Sequence, residues 1–229
     1  MALFNRLNPK DGSEMSFIDH LEVLRGTIVR SAAAILVMAL VIFIKRDWVM
    51  DNIITGPIQP DFITYRLFCE FSHWAHLGDA LCMPAVKVTM QSTTFGGQFL
   101  SSISMAIVGG IITAFPFIFY QFWSFVKPAL KENELRNTRF MIFWVSFFFF
   151  LGAAFGFFIL GPFTFNFLAS FQLGTKGVIT TIPTFADYLD NLTNLILGCG
   201  IAFELPVIVF LLTKIGIITP KFLSTTRKY

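Results

Sequence analysis

The sequence predicts an all-α, polytopic membrane protein: four transmembrane helices in a single domain spanning 1–229, with a cytoplasmic N-terminus. Three observations predict it. Hydrophobic residues make up 55% of the 229, charged residues only 14%, and mean hydropathy is +0.70. A soluble domain carries about 25% charged residues to hydrate its surface. The charges are gathered into short blocks between apolar runs, each about as long as the roughly 20 residues that cross a bilayer. Lys and Arg are also divided unevenly among those blocks, which sets the orientation.

The elements follow in order. Segment 16–26 reads as an amphipathic helix at the cytoplasmic interface, running into the membrane. Ser16 and Asp19 have capping-box spacing. Phe17, Leu21, Leu24 and Ile28 form one apolar stripe, while Asp19, Glu22 and Arg25 fall on another face. The first span covers about 27–44, and no small-residue cleavage pattern follows it, so it reads as a retained signal anchor. The outside loop, 45–98, is the largest polar region. Gly56, Pro57 and Pro60 break it, and Phe62 to Phe71 suits a short helix. The second span, about 100–119, contains Gly109, Gly110 and Pro116, which suit a curved helix. The third, about 140–160, carries Gly152 and Gly156 in a GxxxG spacing that permits close helix packing. Gly161 and Pro162 are expected to end it. Pro183 precedes the fourth span, about 191–212.

Orientation comes from the basic residues. Arg6, Lys10, Arg25 and Arg30 precede or enter the first span; Lys127, Lys131, Arg136 and Arg139 fall in the 120–139 loop; Lys214, Lys221, Arg227 and Lys228 follow the fourth span. These are twelve of the 17 Lys and Arg, and the positive-inside rule assigns all three blocks to the cytoplasm. The net charge of +3 comes with no basic stripe or recognition motif, so nucleic acid is not expected as a partner.

Glu204 is the sharpest single residue, near the middle of the fourth span. A carboxylate there costs about 2.5–3.5 kcal/mol on lenient insertion scales, so it belongs against a cavity or a partner. Pro206 removes the N–H that the Ala202 carbonyl would accept, and Gly200 leaves room one turn earlier. Two readings stay open: a functional intramembrane acid, or a neutral Glu that only glues helices. Cys69 and Cys82 share the outside loop, where they are either joined by a disulfide or remain two thiols. No CxxC is present, and His20, His73 and His76 are spread over both sides of the membrane, so no metal site is expected. There is no Walker loop, G-x-S-x-G or HExxH, so no enzymatic activity and no cofactor are expected.

Several stretches together resemble the TatC family, the multi-spanning receptor subunit of the twin-arginine protein translocase. The strongest runs from Phe115 through Tyr120, Gln121, Phe125, Lys127 and Pro128 to Leu130, followed by Glu134. Others are Ser16 to Arg25, Phe203-Glu204-Leu205-Pro206, Gly216 to Pro220, and Arg227-Lys228-Tyr229. The resemblance implies a receptor in the bacterial cytoplasmic (inner) membrane that exports folded proteins using the proton-motive force. It further implies twin-arginine signal peptides as ligands, TatA/TatB-type single-span subunits as partners, and a homo-oligomer.

By the same resemblance, Glu22, Arg25, Gln121, Phe125 and Glu134 form the signal-peptide surface, Pro57 is a functional outside-loop proline, and Glu204 is the intramembrane polar residue. A carboxylate suits an arginine pair because its two oxygens match the guanidinium fork, which lysine lacks. Two features depart from the family pattern. His20-Leu21-Glu22-Val23-Leu24-Arg25 puts the acid one residue before its family position, a rotation of about 100° on a helix. The family has six spans, and this chain reads as lacking the last pair. The competing reading is a secondary transporter or ion-conducting subunit that uses Glu204.

Overall fold

The computed structural model describes residues 17–76, 78, 79, 82, 89–126, 138–171 and 182–214. Among them the chain is nearly all helix: α1 (Phe17–Ile44), α2 (Arg46–Val49), α3 (Ile63–Trp74), α4 (Gly97–Val126), α5 (Thr138–Phe155), α6 (Gly161–Ser170) and α7 (Phe185–Lys214). The only β pairing among the described residues is an isolated bridge between Gln91 and Thr184. Among the described residues four stretches are long and apolar enough to cross a membrane: His20–Ile44, Gly97–Val126, Met141–Ser170 and Phe185–Phe210. The amphipathic segment and the first span form one unbroken helix, α1. Ser16, the expected cap, lies outside the described residues.

Glycines set the helix contacts. α1 packs antiparallel on α4, where a Cβ on Gly110 would stand 2.9 Å from both the Ala39 nitrogen and the Ile35 oxygen. α5 packs antiparallel on α7 at the GxxxG glycines. A Cβ on Gly152 would lie 2.5 Å from the Cys199 carbonyl oxygen, and one on Gly156 would lie 2.7 Å from that of Leu195. From the other side, Gly200 receives the Phe149 ring, which also stacks on Phe115 of α4 at 3.6 Å between centroids. In lipid the apolar effect does not separate helix from helix, so close backbone approach through small residues supplies the association.

Large apolar side chains remain exposed along the spans, including Leu36, Leu40, Ile107, Phe143 and Ile201, as lipid-facing surfaces require. The tight core instead sits at the end of the bundle that carries the 45–98 segment. There Ile54, Met105, Phe165, Tyr188, Leu189 and Leu192 bury one another.

One expectation is corrected. Gly161 and Pro162 do not end the third helix. A π turn, Gly156–Leu160, carries α5 directly into α6, with Pro162 in the first turn of α6. In a regular helix the Pro162 nitrogen would face the Phe158 carbonyl and have no hydrogen to offer it. The Thr64 hydroxyl of α3 donates to that carbonyl instead, so the helix continues without an orphaned acceptor. The helix expected from Phe62 to Phe71 is present, shifted to Ile63–Trp74.

Candidate functional site

At the bundle end opposite the core, the N-terminal turns of α1 meet the C-terminal turns of α4. His20 stacks on Phe125 with ring centroids 4.3 Å apart, which ties the two helix ends together. Gln121 lies one turn before Phe125 and is buried, while Phe125 is half-buried. Glu22 and Arg25 are exposed on the turns of α1 that follow His20. The fold therefore gathers four of the five sequence-derived recognition residues at one end. The fifth, Glu134, falls in the segment joining α4 to α5, outside the described residues.

Glu204 lies in mid-α7 with 5% of its surface exposed, and neither carboxyl oxygen has a hydrogen-bond partner among the described residues. The backbone of Phe149 faces the carboxyl group without meeting hydrogen-bond geometry. Two more buried polar atoms share this condition: the Trp123 indole nitrogen on α4 and the Ser146 hydroxyl on α5. Because Phe149 faces Gly200 and the helices run antiparallel, Ser146 and Glu204 lie one turn further toward the same end, on facing sides of α5 and α7. Leaving such groups unpaired costs about 1–3 kcal/mol each, so a partner for them is the energetically sensible expectation. Ser146 and Trp123 escaped the sequence reading because a lone Ser or Trp in an apolar run gives no periodic signal.

The outside-loop residues form a third locality. Pro57 is fully buried. Its carbonyl accepts a 2.8 Å hydrogen bond from the Tyr65 hydroxyl, which also reaches the Pro162 carbonyl at 3.3 Å. Burial raises the Tyr65 pKa above its usual value of 10.0. Tyr188 donates to the Ile54 carbonyl, an acceptor released because the Ile58 nitrogen bonds Thr55 instead. Pro57 is thus clamped between α3 and α6. Cys69 and Cys82 are joined by a disulfide, and the His73 imidazole stands beside them. Sequence reading treated the cysteines and histidines separately and missed this grouping. The spacing of Cys69 and His73, one turn apart on a helix, was the available signal.

Four helices long and apolar enough to cross a membrane, one of them burying an acid, define a multi-pass helical membrane protein. The family model for the Sec-independent protein translocase protein TatC matches residues 19–229, and the chain belongs to that family. It is 35% identical over 218 residues to a TatC from Blattabacterium sp. subsp. Periplaneta americana (strain BPLAN), covering 95% of this chain and 81% of that one. It is 33% identical over 217 residues to a TatC from Halalkalibacterium halodurans, covering 94% and 74% respectively. A crystal structure of the twin-arginine translocase receptor TatC in DDM superposes with a TM-score of 0.70 at 29% identity, covering 92% of this chain and 82% of that one. The chain is a subunit of a twin-arginine translocase and works with other subunits of that system.

Proposed function

We propose that this chain is the signal-peptide receptor and core subunit of its translocase, with both termini and the α4–α5 segment in the cytoplasm of a bacterial inner membrane. Cargo arrives folded, and its twin-arginine signal peptide docks at the joined ends of α1 and α4. The observation that carries this reading is the His20–Phe125 stack, which brings the turns of α1 that carry Glu22 and Arg25 to the end of α4 that carries Gln121 and Phe125. Two acids, Glu22 on α1 and Glu134 in the sequence between α4 and α5, suit two guanidinium groups that repel each other and need bidentate anionic partners. The apolar part of the signal peptide then lies along lipid-exposed helix walls. TatA/TatB-type single-span subunits and further copies of this chain are the proposed partners, and the proton-motive force drives export. The test is binding of a twin-arginine signal peptide against its twin-lysine variant to the chain in detergent or nanodiscs. Clear discrimination supports the receptor role, and equal affinity sinks it.

The Glu204 carboxyl, without a hydrogen-bond partner among the described residues, also favours a second reading, ion conduction by this chain alone. Proteoliposomes containing only this chain would then leak protons, and the leak would vanish in Glu204→Gln. The receptor reading expects no such leak.

A further inference from the structure

The last turns of α3 and the segment beyond them bring two sulfurs, an imidazole and a carboxylate to one place. Cys69 and His73 stand one turn apart and so project from the same helix face. The Cys82 Sγ lies 3.6 Å from His73 Nε2, and Asp79 Oδ1 lies 3.1 Å from the same nitrogen. The ligand atoms of Cys69, His73 and Cys82 all lie within 4.8 Å of one another. Two thiolates and an imidazole are the donor set that soft divalent cations prefer.

The separations match a metal's tetrahedron. With Zn–S near 2.3 Å and Zn–N near 2.0–2.1 Å, neighbouring S and N ligands stand roughly 3.5 Å apart, and neighbouring N and O ligands roughly 3.3 Å apart. Only the two sulfurs, now bonded to each other, would have to part. The frame around them has contacts of its own besides that bond. The fully buried Ser72 donates its hydroxyl to the Gly78 carbonyl. The backbone N–H of His76 donates to the His73 carbonyl at 3.2 Å, and that of Cys82 to the Asp79 carbonyl at 3.1 Å. His76 (φ 57°) and Gly78 (φ 61°) take the left-handed conformation that turns the chain back toward α3. An acid–base relay is a poorer reading, because it needs the two ring nitrogens to face different partners. Here one nitrogen faces both the acid and the sulfur.

We propose that Cys69, His73 and Cys82, with Asp79 in the fourth position, form a site for a soft divalent cation of the zinc type that opens when the disulfide is reduced. This corner of the molecule is then closed by a sulfur–sulfur bond under oxidising conditions and by a metal ion under reducing ones. The chemistry balances with a phosphine as reductant. The S–S bond breaks, the phosphine becomes its oxide with oxygen from water, and the two hydrogens of that water complete two thiols. The cation then displaces both thiol protons to solvent, forming two metal–sulfur bonds and one bond to His73 Nε2. Asp79 turns from the imidazole to the metal. The proposal does not rest on the export function or on the chain's orientation.

The test is a Co²⁺ titration of the purified chain in detergent, without oxygen, before and after phosphine reduction. The reduced protein is expected to bind one equivalent, with a thiolate-to-cobalt charge-transfer band and tetrahedral d–d absorption that Zn²⁺ abolishes. The oxidised protein is expected to give neither. His73→Ala and Cys82→Ser should weaken binding at least tenfold, whereas Cys199→Ser, which alters the remaining cysteine in α7, should bind as the parent does. The His73 side chain is 61% exposed, so its loss reports on ligation rather than folding. No charge-transfer band on reduction, equal binding by the oxidised protein, or full binding by Cys82→Ser would each overturn the proposal.

Discussion

In the proposed receptor role, Glu134 and Glu22 are expected to divide the recognition of an arginine pair unequally. Glu22 is exposed on α1 but sits one residue before the family's acidic position, which Val23 occupies. A helix turns about 100° per residue, so Glu22 addresses the site from a different angle. Glu134→Ala is therefore expected to weaken twin-arginine peptide binding more than Glu22→Ala. A charged hydrogen bond contributes about 1.5–3 kcal/mol, roughly a ten- to hundredfold change in Kd. Titration of both variants with a labelled peptide decides it. Normal binding by Glu134→Ala with failure of Glu22→Ala reverses the assignment.

Glu204 raises a different question at the same scale, because it is buried with no hydrogen-bond partner among the described residues, a costly placement for an acid inside a span. Glu204→Gln keeps hydrogen-bonding capacity without a titratable proton. It is expected to fold and to impair export or subunit assembly, with Glu204→Ala at least as harmful. Full export by the Ala variant would reduce the residue to packing.

Among the elements, the α5–α7 pair is the most tightly specified. Gly152 and Gly156 let the two backbones approach until a Cβ would strike carbonyl oxygens rather than flexible side chains. Backbone cannot swing aside, so Gly152→Ala is expected to destabilise by about 1–3 kcal/mol through overpacking. Gly198, on the same α7 helix, has nothing within 4 Å of its would-be Cβ, and Gly198→Ala should stay within about 1 kcal/mol of the parent. Thermal unfolding of the two variants in one detergent makes the comparison, and equal melting temperatures would refute the close-contact argument. The α5–α6 junction follows the same logic. A proline inside the run is tolerated because a π turn and the Thr64 hydroxyl deal with the carbonyl it cannot serve.

At the scale of the whole molecule, the apolar core lies at one end of the bundle, while the lipid-facing lengths of the spans stay open. The described part of the 45–98 segment therefore forms a packed lid tied to the π turn by Thr64, to α6 by Tyr65 and to Tyr188 of α7 by the Ile54 carbonyl. The proposed orientation places this lid outside. Single cysteines introduced within 61–90 or 172–180 are then expected to react with a membrane-impermeant thiol reagent in intact cells, and those within 128–136 are not. Labelling of 128–136 from outside would invert the topology and remove the proposed recognition end from the cytoplasm.

The sequence by itself determined the class of protein and its four candidate spans. Those features depend on local physics: hydrocarbon offers no hydrogen bonds to a backbone, so each crossing must be one long apolar helix. Charges are excluded from it and collect in the blocks that reveal it. Tertiary structure alone decided the rest. Whether Gly161 and Pro162 stop a helix depended on Thr64, far away in the chain, reaching an acceptor that the proline had orphaned. That Ser146 and Trp123 join Glu204 as buried groups without a hydrogen-bond partner among the described residues depended on which faces of α4, α5 and α7 turn inward. The meeting of Cys69, His73, Asp79 and Cys82 required a turn built from Ser72, His76 and Gly78. Each of these outcomes is a long-range or orientational match between groups, and hydropathy and spacing record only what neighbours along the chain can do for one another.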